Sequence, residues 1–173
     1  MNQRLDRIDG CHPLLKQPVL KLVERCEVKL KRTLFIVWGF RSVQEQMLIY
    51  QKGRTFDREL NEWIVADAKA IITKAKPGTS AHNVITLAGA RAAMGVDVIP
   101  LKPDGSADWQ VCEDFWHALY EIAWKVGLDP LGDPIGSYLA GDLGHFEEPA
   151  WELKIEDLGC YLPTNLAAAP VGV

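Results

Sequence analysis

At 173 residues the chain fits one domain and is long enough to bury a real core, roughly 70% of the surface its unfolded form exposes. A formal net charge of -4, a pI near 5.6 and the lack of any Lys/Arg cluster interleaved with aromatics argue against nucleic acid or an anionic membrane as a partner. No stretch approaches 18 consecutive apolar residues and the opening MNQRLDRIDG has no signal-peptide run, so the expectation is a product made in the cytosol.

Taken in order, the apolar residues Val19, Leu22, Val23, Cys26 and Leu30 recur at helical spacing, which predicts a helix with Pro18 in its first turn. Thr33 to Phe40, TLFIVWGF, reads as a buried strand that ends at Arg41. Ser42 and Glu45 form an S-x-x-E capping box, opening a helix through Met47, Leu48 and Tyr50 that Gly53 closes. Leu60, Ile64, Asp67 and Ile71 predict a longer helix from Asp57 to about Lys74, ended by Lys76-Pro77-Gly78.

A loop carrying His82 and a small-residue stretch lead to a strand from Gly95 to Leu101, in which Val96 and Val98 face one way and Asp97 the other. An acid in so apolar a strand needs a partner. Asp108 is expected to cap a helix carrying Trp109, Cys112, Trp116, Leu119, Ala123 and Val126, closed by Gly127. A short helix is expected around Trp151 to Asp157, and the uncharged tail after Cys160 has no assignment. The four cysteines, Cys11, Cys26, Cys112 and Cys160, have no C-x-x-C spacing and read as reduced and mostly buried.

The stretch that organises these elements is GDLGHFEE, Gly141 to Glu148, where Asp142 stands three positions before His145 between glycines that disfavour a helix interior. Together with His82 and Asp97 it gives two imidazoles and one carboxylate, a three-ligand set with an open fourth position, and Asp142 as a spare acid. Each residue also has an ordinary reading. A lone histidine is usually a hydrogen-bonded core or loop residue, Asp97 alternatively pairs with a buried arginine such as Arg41, and Asp142 alternatively serves a turn. His12 and His117 read as structural or surface residues. Cys112 with His117 or His145 would make a Cys/His peptidase, but its place in the apolar stripe favours core packing.

These residues resemble the M15 peptidases, the D-Ala-D-Ala carboxypeptidases and dipeptidases and the phage L-alanyl-D-glutamate endolysins. The family pattern is S-x-H, then G-x-A-x-D, then an acid three residues before a histidine. Ser80-Ala81-His82 matches the first part, Gly95-Val96-Asp97 the end of the second and Asp142-Leu143-Gly144-His145 the third, in order, and VWGFRSVQEQ, Val37 to Gln46, resembles the strand ending in Gly-aromatic-Arg-Ser/Thr. The likeness runs from about residue 13 to residue 150. The family aspartate usually follows the histidine by seven positions, whereas here 97 - 82 = 15, so eight residues are inserted, and Ala93 and Gly95 replace the family's Gly and Ala. The insert reads as a short helix carrying Arg91 over the cleft.

The resemblance implies one peptidase domain over residues 1–173, an α+β fold of the hedgehog and DD-peptidase kind with a small, mostly antiparallel sheet packed with helices. It implies Zn2+ held by His82, Asp97 and His145, Asp142 as the base that activates water, and Arg41 facing the substrate and stabilising the oxyanion. Ser80 is assigned to the substrate-binding loop. The implied substrate is a peptidoglycan stem peptide, the implied biology a monomeric phage or prophage endolysin released to the wall by a holin. The rivals are a D-Ala-D-Ala carboxypeptidase or dipeptidase and a zinc-containing binding module that has lost the chemistry.

Overall fold

A computed structural model describes residues 5–132 and 143–163 of the chain. After a single 3-10 turn, helix α1 (Pro13–Leu30) starts five residues before the expected position. His12 takes the N-cap, its Nδ1 accepting from the Leu14 N–H at 3.2 Å, and Pro13 fills the first helical position, where no backbone donor is needed. Strand β1 (Leu34–Trp38) and helix α2 (Val43–Tyr50) follow as the sequence predicts, and both halves of the Ser42/Glu45 capping box are formed.

The helix expected from Asp57 to Lys74 is instead a hairpin of β2 (Arg54–Asp57) and β3 (Glu62–Val65), followed by a 3-10 turn at Ala68–Ala70. Local chemistry overrides the spacing. Asp57 Oδ1 accepts from the N–H groups of Glu59 and Leu60, Asn61 takes the left-handed conformation, and Phe56 meets Trp63 edge to face across the strands. Leu60 and Ile64, which suggested the helical stripe, are exposed.

The next elements are β4 (Ile85–Thr86), β5 (Gly95–Pro100), α3 (Glu113–Val126), β6 (Asp129–Pro130), β7 (His145–Glu147), α4 (Trp151–Lys154) and β8 (Cys160–Tyr161). Helix α3 begins after the expected site because Asp108 does not cap it. Asp108 accepts from Arg32 at 3.4 Å, Trp109 is 79% exposed, and Cys112 occupies the N-cap. Cys112 is therefore exposed, contrary to the core position expected of it, while the other three cysteines are buried. Burial pushes the Cys11 and Cys26 thiols up to about 12, which leaves them unreactive.

Four strands form one antiparallel sheet in the order β1-β5-β7-β6. The period-2 alternation of β5 sends Val96 and Val98 into the core with Leu34, Ile36 and Phe146, where α1 contributes Leu15, Val19 and Leu22 and α3 contributes Leu119, Tyr120 and Ala123. Asp97 and its cross-strand partners Trp38 and His145 lie on the other face. A bulge in β1 leaves Val37 unpaired, so that Trp38 rather than Val37 stands opposite Asp97, and the freed Val37 carbonyl accepts from Arg7. A smaller cluster, Ala81, Val84, Ala92, Met94, Trp151, Ile155 and Cys160, supports the His82 loop, and β4 pairs with β8 beside it. Among the described residues no helix is long and apolar enough to cross a membrane.

Phe146 is fully buried against Tyr120 on the face opposite its neighbour His145. Phe146→Ala is expected to lower unfolding stability by about 3–5 kcal/mol in urea titrations, because the two-sided packing around it cannot collapse into the space.

Candidate metal centre

Each donor reaches the centre from a different element. Asp97 comes from the middle of β5, with its backbone paired to β1 on one side and β7 on the other. His145 opens β7 directly opposite it. His82 comes from a 3-10 turn at Ala81–Asn83 whose N-cap is Ser80, and the Ser80 hydroxyl accepts from the His82 N–H at 3.3 Å. Ser80 is itself buried.

The turn is locked to the end of β1. Arg41 N–H donates to the His82 carbonyl, Asn83 Nδ2 donates to the Arg41 carbonyl, and Asn83 Oδ1 accepts from the Gly78 and Ser80 N–H groups. Gly39 brings a third tie, because a Cβ there would lie 2.2 Å from the Arg7 carbonyl oxygen, and only glycine lets that strand end pass so close. Its carbonyl accepts from His82 Nδ1 at 2.7 Å.

That last bond fixes the chemistry of His82. A carbonyl can only accept, so Nδ1 carries the proton and Nε2 turns its lone pair inward. Nε2 lies 3.2 Å from Asp97 Oδ1 and 3.3 Å from His145 Nδ1, and His145 Nδ1 lies 2.8 Å from the same Asp97 oxygen. The three donor atoms lie within 4.8 Å of one another. Two imidazole nitrogens and a carboxylate oxygen form a donor set suited to zinc, and structural zinc sites usually close the sphere with a fourth protein ligand. Among the described residues the cluster has three.

Gly95 makes room for it, since a Cβ there would stand 3.0 Å from the His145 ring and from Ala81 Cβ.

Arg41 lies at the edge of the cluster, 5% exposed, and gives NH2 to Asp97 Oδ2 at 3.0 Å and NH1 to Gln46 Oε1 at 2.8 Å. Its guanidinium stands over the Trp38 ring, 4.9 Å from the centroid. The structure thus gives Asp97 both of its anticipated partners at once, the histidines on one oxygen and the arginine on the other. Asp142 lies outside the described residues. His12 caps α1, and His117 is a surface residue 3.8 Å from Glu113. The insert after His82 contains no helix; it is an arm through β4, and Arg91 packs over Phe40 at 5.4 Å.

Sequence reasoning did not single out Gln46, Asn83, Trp38 or Glu147. Gln46 lies five residues after Arg41 on α2, and Glu147 two residues after His145, which is the same-face spacing of a strand. Only that strand periodicity was a usable signal. Glu147 Oε2 stands 3.2 Å from His145 Nε2.

Burial opposes charge on both central groups, yet the partners outweigh it. Desolvation raises the Asp97 pKa, but the adjacent His82 and the hydrogen bond from His145 hold the carboxyl well below the usual range. Desolvation lowers the His145 pKa, but hydrogen bonds to Asp97 and Glu147 raise it to about 9.

Comparison with known proteins gives a consistent fold. No family model matches the sequence, and no curated protein matches it. Among solved structures, the Serratia marcescens L-Ala D-Glu endopeptidase ChiX aligns with a TM-score of 0.51 at 14% identity, over 88% of this chain and 90% of that one. The vancomycin-resistance D,D-pentapeptidase VanY, in complex with Zn(II), aligns with a TM-score of 0.53 at 16% identity, over 82% and 74%. The LD-carboxypeptidase LdcB aligns with a TM-score of 0.51 at 22% identity, over 86% and 71%. The chain therefore has the α+β fold of these peptidoglycan peptidases, as the M15 resemblance implies.

The raised His145 pKa contributes stability that is complete below about pH 6.5 and is lost as pH rises through about 9, whereas depressed Asp97 contributes stability that is lost only as pH falls below about 4. Metal-free protein is expected to resist urea better at about pH 6 than at about pH 9.5. Zinc titrated at about pH 7 is expected to displace about one proton, read from the dependence of the calorimetric enthalpy on the ionisation heat of the buffer.

Proposed function

We propose that the chain is a zinc-dependent peptidase acting on peptidoglycan stem peptides, and that it cleaves the L-Ala-D-Glu bond as an endolysin. The observation that carries the reading is the convergence of His82 Nε2, Asp97 Oδ1 and His145 Nδ1 within 4.8 Å on the face of a peptidase-like sheet opposite Val96, Val98 and Phe146. A set of three donors suits hydrolysis better than a purely structural site. ChiX, an L-Ala D-Glu endopeptidase, aligns over nearly its whole length, which supports the choice of bond.

A zinc ion held by His82, Asp97 and His145 would supply Lewis acidity that polarises the scissile carbonyl and acidifies water to a pKa of about 7. The chain's own residues do the rest. Asp142 accepts a proton from the water whose oxygen attacks the carbonyl carbon, and returns it to the amine nitrogen as the C–N bond breaks. Arg41 keeps Asp97 ionised and oriented and places a fixed positive charge beside the developing oxyanion. Ser80 holds the backbone that aims His82.

A D-Ala-releasing carboxypeptidase is the second reading, favoured by the alignments with LdcB and with VanY bound to D-Alanine-D-Alanine. As an endolysin the protein would be made in a bacterial host's cytoplasm and reach the wall through a holin.

Mass spectrometry of purified peptidoglycan digested by the zinc-loaded protein separates these readings. New L-Ala carboxyl termini paired with D-Glu amino termini are expected; loss of terminal D-Ala alone would move the protein to the carboxypeptidases, and the absence of any metal-dependent product would reduce it to a binding module. Asp142→Ala is expected to bind zinc normally while turnover falls by about 100-fold to 10,000-fold.

A further inference from the structure

We propose that Glu147 is a positioning residue for the metal centre, which fixes the tautomer and the ring orientation of His145. The inference rests on the metal-site reading above. Glu147 follows His145 by two residues on β7, so both side chains leave the same face of the sheet. The Glu147 backbone is paired to Gly95 on one side and Asp129 on the other, and this fixes where its side chain starts. Gly95 has no side chain to compete for the space beside the ring.

The two nitrogens of His145 face different groups. Nδ1 points to Asp97 Oδ1 at 2.8 Å and His82 Nε2 at 3.3 Å, while Nε2 points away from them to Glu147 Oε2 at 3.2 Å. The side chains of this outer pair are 8% and 16% exposed, so water competes weakly for the bond. A neutral imidazole has one N–H and one lone pair, and an ionised carboxylate only accepts. Asp97 is also an acceptor, on the Nδ1 side, so the metal-free ring donates to both carboxylates; when zinc takes the place of the Nδ1 proton, Glu147 keeps the remaining one on Nε2 and the Nδ1 lone pair faces the donor cluster.

His82 is fixed in the complementary sense by the Gly39 carbonyl on its Nδ1, which leaves Nε2 to the cluster. The two histidines thus present opposite nitrogens, each chosen by an acceptor on its outer side. Such outer partners raise the basicity of a ligating imidazole as well as orienting it. Because Glu147 acts through the ring and not on the substrate, its loss is felt first in metal affinity.

The test is a competition titration of zinc against a chromophoric chelator, with wild type, Glu147→Ala and Glu147→Gln, supported by the visible absorption of the Co(II)-loaded proteins. Glu147→Ala is expected to weaken zinc binding by about 10-fold to 100-fold and to alter the Co(II) ligand-field bands. Glu147→Gln, whose carbonyl oxygen still accepts from Nε2–H, is expected to recover most of the affinity and the wild-type band shape. Urea unfolding of the metal-free proteins accompanies the titration, so that affinity is compared between folded chains.

Wild-type affinity in Glu147→Ala would overturn the proposal while leaving the metal site intact, as would equal losses in both variants that track a common loss of folding stability. Failure of the wild-type protein itself to bind zinc would overturn the proposal together with the metal-site reading.

Discussion

A half-buried carboxylate shared among three partners is the interaction on which the centre depends. Asp97 gives one oxygen to His82 and His145 and the other to Arg41, in a setting where an unpartnered charge would cost several kcal/mol. The sequence meets that cost through topology. Asp97 sits on β5, an inner strand of the sheet, so β1 delivers Arg41 just past its end and β7 delivers His145 directly opposite. The same alternation that turns Asp97 outward turns Val96 and Val98 into the core, so the residues that hold the sheet to α1 and α3 also aim the acid.

Around this carboxylate lies a ring of hydrogen bonds that explains why an irregular loop can hold His82 in place. Gln46 is fully buried; it accepts from Arg41 and donates to the Ala75 carbonyl, tying α2 to the segment that leads into the His82 turn. Arg54 reaches the Thr73 carbonyl in the same segment. Asn83 closes the turn on itself and on the Arg41 backbone. The loop is long in sequence but satisfied at its polar groups, and each bond removes an alternative orientation for His82.

The sequence was most legible where periodicity and capping agreed. The β1 run, the Ser42/Glu45 box and the alternation around Asp97 all depend on neighbours within a few residues, and all are present in the structure. The segment from Asp57 to Lys74 forms no helix because Leu60 and Ile64, although at helical spacing, have no core to face, whereas the Asp57 turn and the Phe56–Trp63 pair are the stronger local signals. Asp108 does accept from a local N–H, that of Gln110, but in a turn ahead of the helix, and its other oxygen pairs with Arg32, 76 residues away in sequence, a partner no local pattern reports. The donor set could be collected from motif order, but its outer partners could not, because Gln46, Asn83 and the Gly39 carbonyl acquire their roles only from contacts across the fold.

The long separation between His82 and Asp97 shows how the centre tolerates a long connection. Fifteen positions apart in sequence, their side chains still meet at 3.2 Å. The intervening chain runs out and back on itself: Met94 N–H returns to the Ala81 carbonyl, Ala92 N–H to the Val84 carbonyl, and Thr86 N–H to the Ala90 carbonyl. The arm is thus closed at its base, one residue from His82 and three from Asp97, and its growth is directed outward. Loop closure costs little for a few added residues once that base is paired. The arm spends its edge on β8, through Ile85 opposite Tyr161 and Thr86 opposite Cys160, and lays Arg91 on Phe40 beside the strand end that carries Arg41. An arm of this form leaves the donor geometry to the sheet and bears only on what surrounds it.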